Sequence, residues 1–321
     1  MKKNIHSFSL IEILLVTAII SIIMGLSLAA LQNAREQARF GRWLAFSSNM
    51  KAEPGLVAYY NFQDNPDPAK LKNQAFCTSI PQYDQRKVDA TVSNAKWGRG
   101  RWRSKGALWM NGINSYAMIG ADNKIRNLPR EFAVELWFFP VTTENCTIFL
   151  SNATIYNPVA APANSPKGIA QKFDPVTAAM FKIRLQGNKL IISYAANIAY
   201  KPNPNNKQGE GDGYAWGTLV TTTDVTTESI TLSGNFAINR WYQVVASYSY
   251  NDQKMSLFLN GKLVETYSES RPVVYLFEES YIGGAPTSGD SFNGIIDEVG
   301  IYNRALSAYD VKAHYEMGAP R

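Results

Sequence analysis

Met255-Ser256-Leu257-Phe258-Leu259-Asn260-Gly261-Lys262-Leu263-Val264-Glu265-Thr266 is two apolar runs joined by Asn-Gly. Asn and Gly tolerate positive φ, which a two-residue type I′ turn demands, so the stretch reads as a β-hairpin. The same pattern continues outward. Phe132–Phe139 and Trp241–Tyr248 each present one dominantly apolar face at strand period. Tyr281–Gly284 and Gly294–Tyr302 add further short strands. Many short strands punctuated by Gly, Asn and Pro imply a β-sandwich. Ser307-Ala308-Tyr309-Asp310 then opens a short helix with a capping-box pattern, running through Val311, His314 and Tyr315 to about Gly318. Asn157–Lys167 and Lys201–Gly217 are rich in Pro, Asn and Gly and read as long loops. Tyr214 and Trp216, at the end of the second, read either as a sugar-stacking pair or as aromatics re-entering the core.

Toward the amino terminus the period changes from strand to helix. Ile13 to Ala34 carries no charged residue. At about 1.5 Å per residue this run covers roughly 33 Å as a helix, enough to cross a bilayer's hydrocarbon core. It continues without a break into Gln32–Arg39, and the first breaker is Pro54-Gly55, so one helix from about Phe8 to about Met50 is expected. Lys2 and Lys3 before the run suggest a cytoplasmic amino terminus. Glu12 sits at the head of the run. A carboxylate there either starts the helix at the headgroup boundary or performs a function, because an acid inside a membrane segment is costly.

The chain has 321 residues, enough for one large domain or two small ones. Charged residues are only 18%, and Tyr, Phe and Trp are plentiful, a balance that suits β structure. The formal charge of +6 is uneven: residues 1–52 carry +4 and the remainder only +2. A basic isoelectric point is therefore partly a property of the stalk and poor evidence for nucleic acid, which is not expected as a partner. Of the two histidines, His6 precedes the apolar run and leaves only His314 for the globular part, which argues against a His triad or zinc site. Cys77 and Cys146 have two readings, a disulfide in an extracytoplasmic compartment or two separate buried thiols.

Two resemblances cover most of the chain. Phe8-Ser9-Leu10-Ile11-Glu12-Ile13-Leu14-Leu15-Val16 strongly resembles the start of type IV pilins and type II secretion pseudopilins. The resemblance implies cutting by a prepilin peptidase between Ser7 and Phe8 and N-methylation of Phe8. It also implies a role for Glu12 in filament assembly, its carboxylate pairing with an N-terminal ammonium in apolar surroundings. Ser7 departs from the Gly usual in the family. Gly55–Phe62, Lys105–Gly112, Trp241–Val245, Leu257–Gly261 and Phe292–Ser307 resemble concanavalin A-like, laminin G-like domains over about 55–318, weakly between 150 and 235. The expected organisation is a leader at 1–7, a pilin-like helix at 8–53 and a laminin G-like jelly-roll sandwich at 54–321. That makes a mainly β protein, single-pass in a bacterial cytoplasmic membrane, with its head extracytoplasmic and at the cell surface or in the periplasm after assembly.

The chemistry of the head reads as binding. Laminin G-like domains often hold calcium at a sandwich rim, which makes Asp64, Asp67 and Asp297 candidate ligands, although no calcium-loop spacing is present. Asp64 and Asp67 also fit solvated turn positions. Asp297 shares strand parity with Ile295, Val299 and Ile301, so it is expected to point inward and to be hydrogen-bonded by loop amides. Lys96–Lys105 interleaves five cations with Trp97 and Trp102. It reads either as an anion-binding strip or as an exposed loop whose Arg stems cover apolar surface. The Glu-x-Asp-x-x-Glu arrangement of concanavalin A-like glycosidases is absent, as are a phosphate loop and a nucleophile elbow, so no enzymatic activity is expected and no cofactor is required. The expected function is a minor or tip pilin-like subunit whose lectin-like head binds a glycan or a surface protein. Its partners would be the prepilin peptidase, other pilin or pseudopilin subunits and the membrane. The alternatives are a tethered carbohydrate-binding protein that never polymerises and an anchored glycan-active enzyme.

Overall fold

The computed structural model describes residues 9–63, 67–76, 88–102, 104–120, 131–160, 171–197, 225–234, 236–270, 279–286 and 289–320. Helix α1 spans Leu10–Lys51 without interruption. The short strands β1 (Leu56–Tyr60), β2 (Lys70–Leu71), β3 (Ala90–Ser93), β4 (Lys96–Arg99), β5 (Gly106–Asn111) and β6 (Tyr116–Ile119) follow. Longer strands come next: β7 (Glu131–Pro140), β8 (Cys146–Ala160), β9 (Gln171–Gln186), β10 (Lys189–Asn197), β11 (Val225–Ser233) and β12 (Tyr242–Ser249). The chain closes with β13 (Lys254–Leu259), β14 (Lys262–Ser268), β15 (Glu279–Ile282), β16 (Asn293–Tyr302) and α2 (Ala308–Gly318).

The strands form two antiparallel sheets. One has the order β14-β13-β12-β7-β16-β5-β4, and β1 pairs the far half of β16 beyond β5. The other has the order β11-β10-β9-β8-β15-β6-β3-β2. Inward side chains such as Phe132, Leu136, Phe138, Ile183, Ile192, Val244 and Ile296 are buried together between the sheets, as sheet-on-sheet packing of alternating strands requires. The expected hairpin is β13–β14. Asn260 and Gly261 take φ +50 and +77, the signs of a type I′ turn. Gly261 meets a second demand: a Cβ there would lie 2.7 Å from the Cβ of Tyr315 on α2.

A third layer lies on the outer face of the β16 sheet. Trp43, Phe46 and Met50 of α1 are buried there with Tyr59, Tyr302, Leu306 and Val311. Trp43, Phe46, Ser47 and Met50 fall at i, i+3, i+4 and i+7, one face of a helix. Helix α2 begins with the expected capping box: the Ser307 side chain accepts from Asp310 N, and Asp310 Oδ2 accepts from Ser307 N. The two helices run antiparallel. Arg42 Nη2 donates to Ala319 O at 3.1 Å, while Arg304 joins Glu53 to Asp310 near the other end. One reading needs correction. Asn157–Ala160 belong to β8 rather than to a loop. Tyr214 and Trp216 lie outside the described residues.

Candidate functional site

The amino-terminal half of α1 is apolar and exposed. Leu10, Ile13, Leu14, Leu15, Ile22, Met24 and Leu26 are each more than half exposed, and no residue of the membrane-length window is buried against the head. Such a face is stable only against lipid or other protein. Ser9 and Glu12 close its start. Glu12 Oε2 accepts from Ser9 N at 2.8 Å and from Ser9 Oγ at 3.0 Å, and Glu12 N donates back to Ser9 Oγ at 3.3 Å. Glu12 therefore caps the start of the helix in the single chain. Ser7 and Phe8 lie outside the described residues.

The carboxyl-terminal half of α1 is fixed to the sandwich by buried charge. Strand β16 carries a bulge between Asp297 and Val299, with Glu298 at φ +50. In a regular strand, neighbouring side chains point to opposite faces. The extra residue lets Asp297 and Glu298 both contribute to one network outside the sandwich core. Lys105 Nζ lies 2.6 Å from Asp297 Oδ1 and 3.2 Å from Glu298 Oε1, and Arg101 Nε lies 3.0 Å from Asp297 Oδ2. Arg101 Nη2 is 3.4 Å from Glu298 Oε1, within ion-pair range but without hydrogen-bond alignment. Trp43 of α1 donates its indole N–H to Glu298, whose other oxygen takes the Tyr59 hydroxyl. Lys105 Nζ sits 4.8 Å from the Trp43 ring centroid, and Arg101 Cζ 4.3 Å from that of Trp137. Burial holds the Glu298 carboxyl above its ordinary range, with Lys105 opposing that shift.

This network corrects two expectations. The bulge breaks the assumed parity: Ile296, Val299 and Ile301 line the sandwich core, and Asp297 lies on the opposite face. Asp297 is fully buried, but two cations rather than loop amides take its oxygens. The basic run Lys96–Lys105 is not one exposed strip, because Arg101 and Lys105 turn inward and only part of it faces solvent. Asp67 caps a turn, its Oδ1 accepting from Ala69 N at 3.0 Å. Asp64 and Cys77 lie outside the described residues. Cys146 is buried, and that burial pushes its thiol up to about 12. Among the described residues, no group of three His, Cys, Asp or Glu side chains is placed to hold a metal.

A second buried pair was hidden from the sequence. Glu135 on β7 shares its strand with one other acid, Glu131 at the strand's start, but it is His314 of α2 that reaches it, Nδ1 to Oε2 at 2.8 Å. Gln243 Nε2 donates to Glu135 Oε1 at 2.6 Å and Tyr302 OH to Oε2 at 3.3 Å. Burial alone would raise the Glu135 carboxyl and lower the imidazole. Their attraction wins in both, leaving Glu135 below and His314 above its ordinary value. Phe46 of α1 packs edge-on against His314, so this pair also lies beneath the stalk. The helical spacing of Trp43, Phe46 and Met50 was the available signal for the seat; the ion pairs had none.

A sequence profile of the laminin G type, described as the concanavalin A-like lectin/glucanases superfamily, matches residues 186–312. Over residues 186–312 the chain is thus similar to concanavalin A-like, laminin G-like domains. The match takes in 186–235, part of the stretch where the sequence resemblance is weak. A comparison with curated proteins returned no match. Among solved structures, the botulinum neurotoxin serotype D binding domain aligns with a TM-score of 0.51 at 13% identity, over 84% of this chain and 52% of that one. The serotype G binding domain aligns at 0.49 and 12% identity, over 82% and 51%. The binding domain of type DC in complex with SialylT aligns at 0.46 and 12% identity, over 82% and 51%. The chain spans about half the length of each of these. At 13% identity the likeness to the serotype D domain is one of fold.

Proposed function

We propose that the chain is a pilin-like or pseudopilin subunit, minor or at a tip, whose lectin-like head binds a glycan or a surface protein and catalyses nothing. One observation carries the reading: a single unbroken helix is apolar and exposed in its first half and locked by buried charge onto a sandwich in its second. Such a helix would hold the precursor in the cytoplasmic membrane with the head outside. After prepilin-peptidase cutting at Phe8 the same face would pack against other subunits. Glu12 would then exchange its capping bonds to Ser9 for a neighbouring chain's N-terminal ammonium. The laminin G-like domain supports a binding head.

The test is the intact mass and amino-terminal peptide of the protein from its native membrane or surface fraction. A chain beginning at N-methylated Phe8 supports the reading. A retained Met1 leader points to a static anchor, and a cut at the far end of the apolar run to a secreted lectin-like protein. A Glu12→Ala variant keeps its folded head and fails to enter filaments; normal incorporation would remove Glu12 from assembly.

A further inference from the structure

The outer face of the β16 sheet is only partly covered by the helices. Tyr315 stacks on Trp137 at 5.6 Å, and Gly318, where α2 ends, lies against the same indole. Two residues further along β7 a row of side chains crosses the sheet, buried at Ile295 in its middle and exposed at Trp109. Lys96 on β4 lies opposite Trp109 on β5, Trp109 opposite Ile295 on β16, and Ile295 opposite Phe139 on β7. Trp241, just before β12, extends the row, its ring 5.4 Å from that of Phe139. Phe139 and Trp241 are half-buried, while Trp109 is 44% exposed.

Trp109 is held in place. A Cβ on Gly98 would lie 2.6, 2.8 and 3.4 Å from three atoms of its pyrrole ring, so the indole rests against the β4 backbone where only glycine leaves room. Its N–H is spent on Arg99 O at 3.0 Å. What Trp109 offers outward is an aromatic surface in a fixed orientation with no donor left to satisfy. Two strand spacings, about 10 Å, separate it from the Phe139–Trp241 pair. At the described register positions of this row the charged side chains are basic. Lys96 flanks Trp109, and Arg240, exposed in the turn before β12, adjoins Trp241. No acidic side chain occupies these register positions, and Asp297, further along β16, is closed by Lys105 and Arg101.

We propose that this row binds an acidic polysaccharide. Sugar rings would stack on Trp109 and on the Phe139–Trp241 pair, and uronate carboxylates or sulfates would meet Lys96 and Arg240. A pyranose presents an apolar C–H face that suits an exposed ring, and a repeating anion suits cations at both ends of the row. The inference rests on the reading of the head as lectin-like but is independent of filament assembly.

The experiment is affinity electrophoresis of the full chain in mild detergent through polygalacturonate, with dextran as the neutral comparator. Trp109→Ala and Lys96→Glu should each weaken polygalacturonate retardation by about tenfold, the size of one lost ring or charge contact. Dextran should retard the chain less. Lys96 is exposed, so Lys96→Glu keeps the test open should Trp109→Ala fold poorly; unfolding midpoints are measured for both. Retardation undiminished in both variants would overturn this face while leaving a lectin-like head intact. No retardation in polygalacturonate would overturn the acidic-polysaccharide proposal and leave standing a head that binds another glycan or a surface protein. Trp109-dependent binding of single-stranded DNA or anionic phospholipid vesicles, without binding of the polyuronate, would also overturn the proposal.

Discussion

Lys105→Met is the sharpest probe of how the stalk is held. Lys105 and Asp297 are fully buried side chains, and Lys105 donates to Asp297, to Asn61 O and to Gly106 O at 3.1 Å. Arg101 and Lys105 balance Asp297 and Glu298, so the cluster is neutral as built. Methionine fills similar volume but leaves one buried negative charge uncompensated, and removing one partner of a buried pair costs about 3–5 kcal/mol. Full-length protein in mild detergent, unfolded in urea and followed by near-ultraviolet circular dichroism, gives the loss directly, with the slope unchanged. The loss should depend on pH. The Glu298 carboxyl already sits above its ordinary value because it is buried, and Lys105 opposes that shift. Without Lys105 it rises further. A group with a raised folded pKa contributes stability that is present below its unfolded value and lost as pH rises through the folded one. The variant should therefore be hurt less at about pH 5 than at about pH 8. A loss under about 1 kcal/mol at both pH values would refute the claim that this cluster is dry and ion-paired.

Three further outcomes follow from the same layer. His314 has a raised folded pKa through Glu135 despite its burial, so its stabilisation is full below the ordinary histidine value and fades as pH rises through the folded one; Glu135, lowered, adds stability lost as pH falls through its own. His314→Gln should flatten the alkaline limb of a stability–pH profile, and an unchanged limb would remove the pair as its source. The reduced protein at pH 8 should alkylate Cys146 only after denaturant is added, as peptide mapping reads, because burial raises that thiol to about 12. Gly261→Ala should cost about 1 kcal/mol or more in urea unfolding, through its positive φ and the contact with Tyr315.

What the sequence made legible was whatever local periodicity or turn chemistry dictates. The Asn260-Gly261 hairpin, the Ser307 cap, the unbroken helix and the alternating strands all stand where short-range pattern put them. Asp297 failed because parity counting assumes a regular strand, and one bulge residue at Glu298 resets it. Arg101 and Lys105 looked solvated because a basic run carries no mark of the carboxylates that receive it; those lie nearly 200 positions away in the chain. Glu135 and His314 were invisible as a pair for the same reason, being 179 residues apart.

The unbroken course of α1 has a geometric consequence for the whole molecule. Only about two turns separate the end of the apolar run near Ala34 from the seat at Trp43. They contain no hinge, so the compass direction in which the head looks is a matter of helical phase. One residue added between Arg35 and Arg39 would swing the whole sandwich about 100° around the stalk while lifting it only about 1.5 Å. Seven added residues would nearly restore the bearing and raise the head about 10 Å. The length of this short collar thus acts as an angular setting, deciding which flank of the head neighbouring molecules encounter.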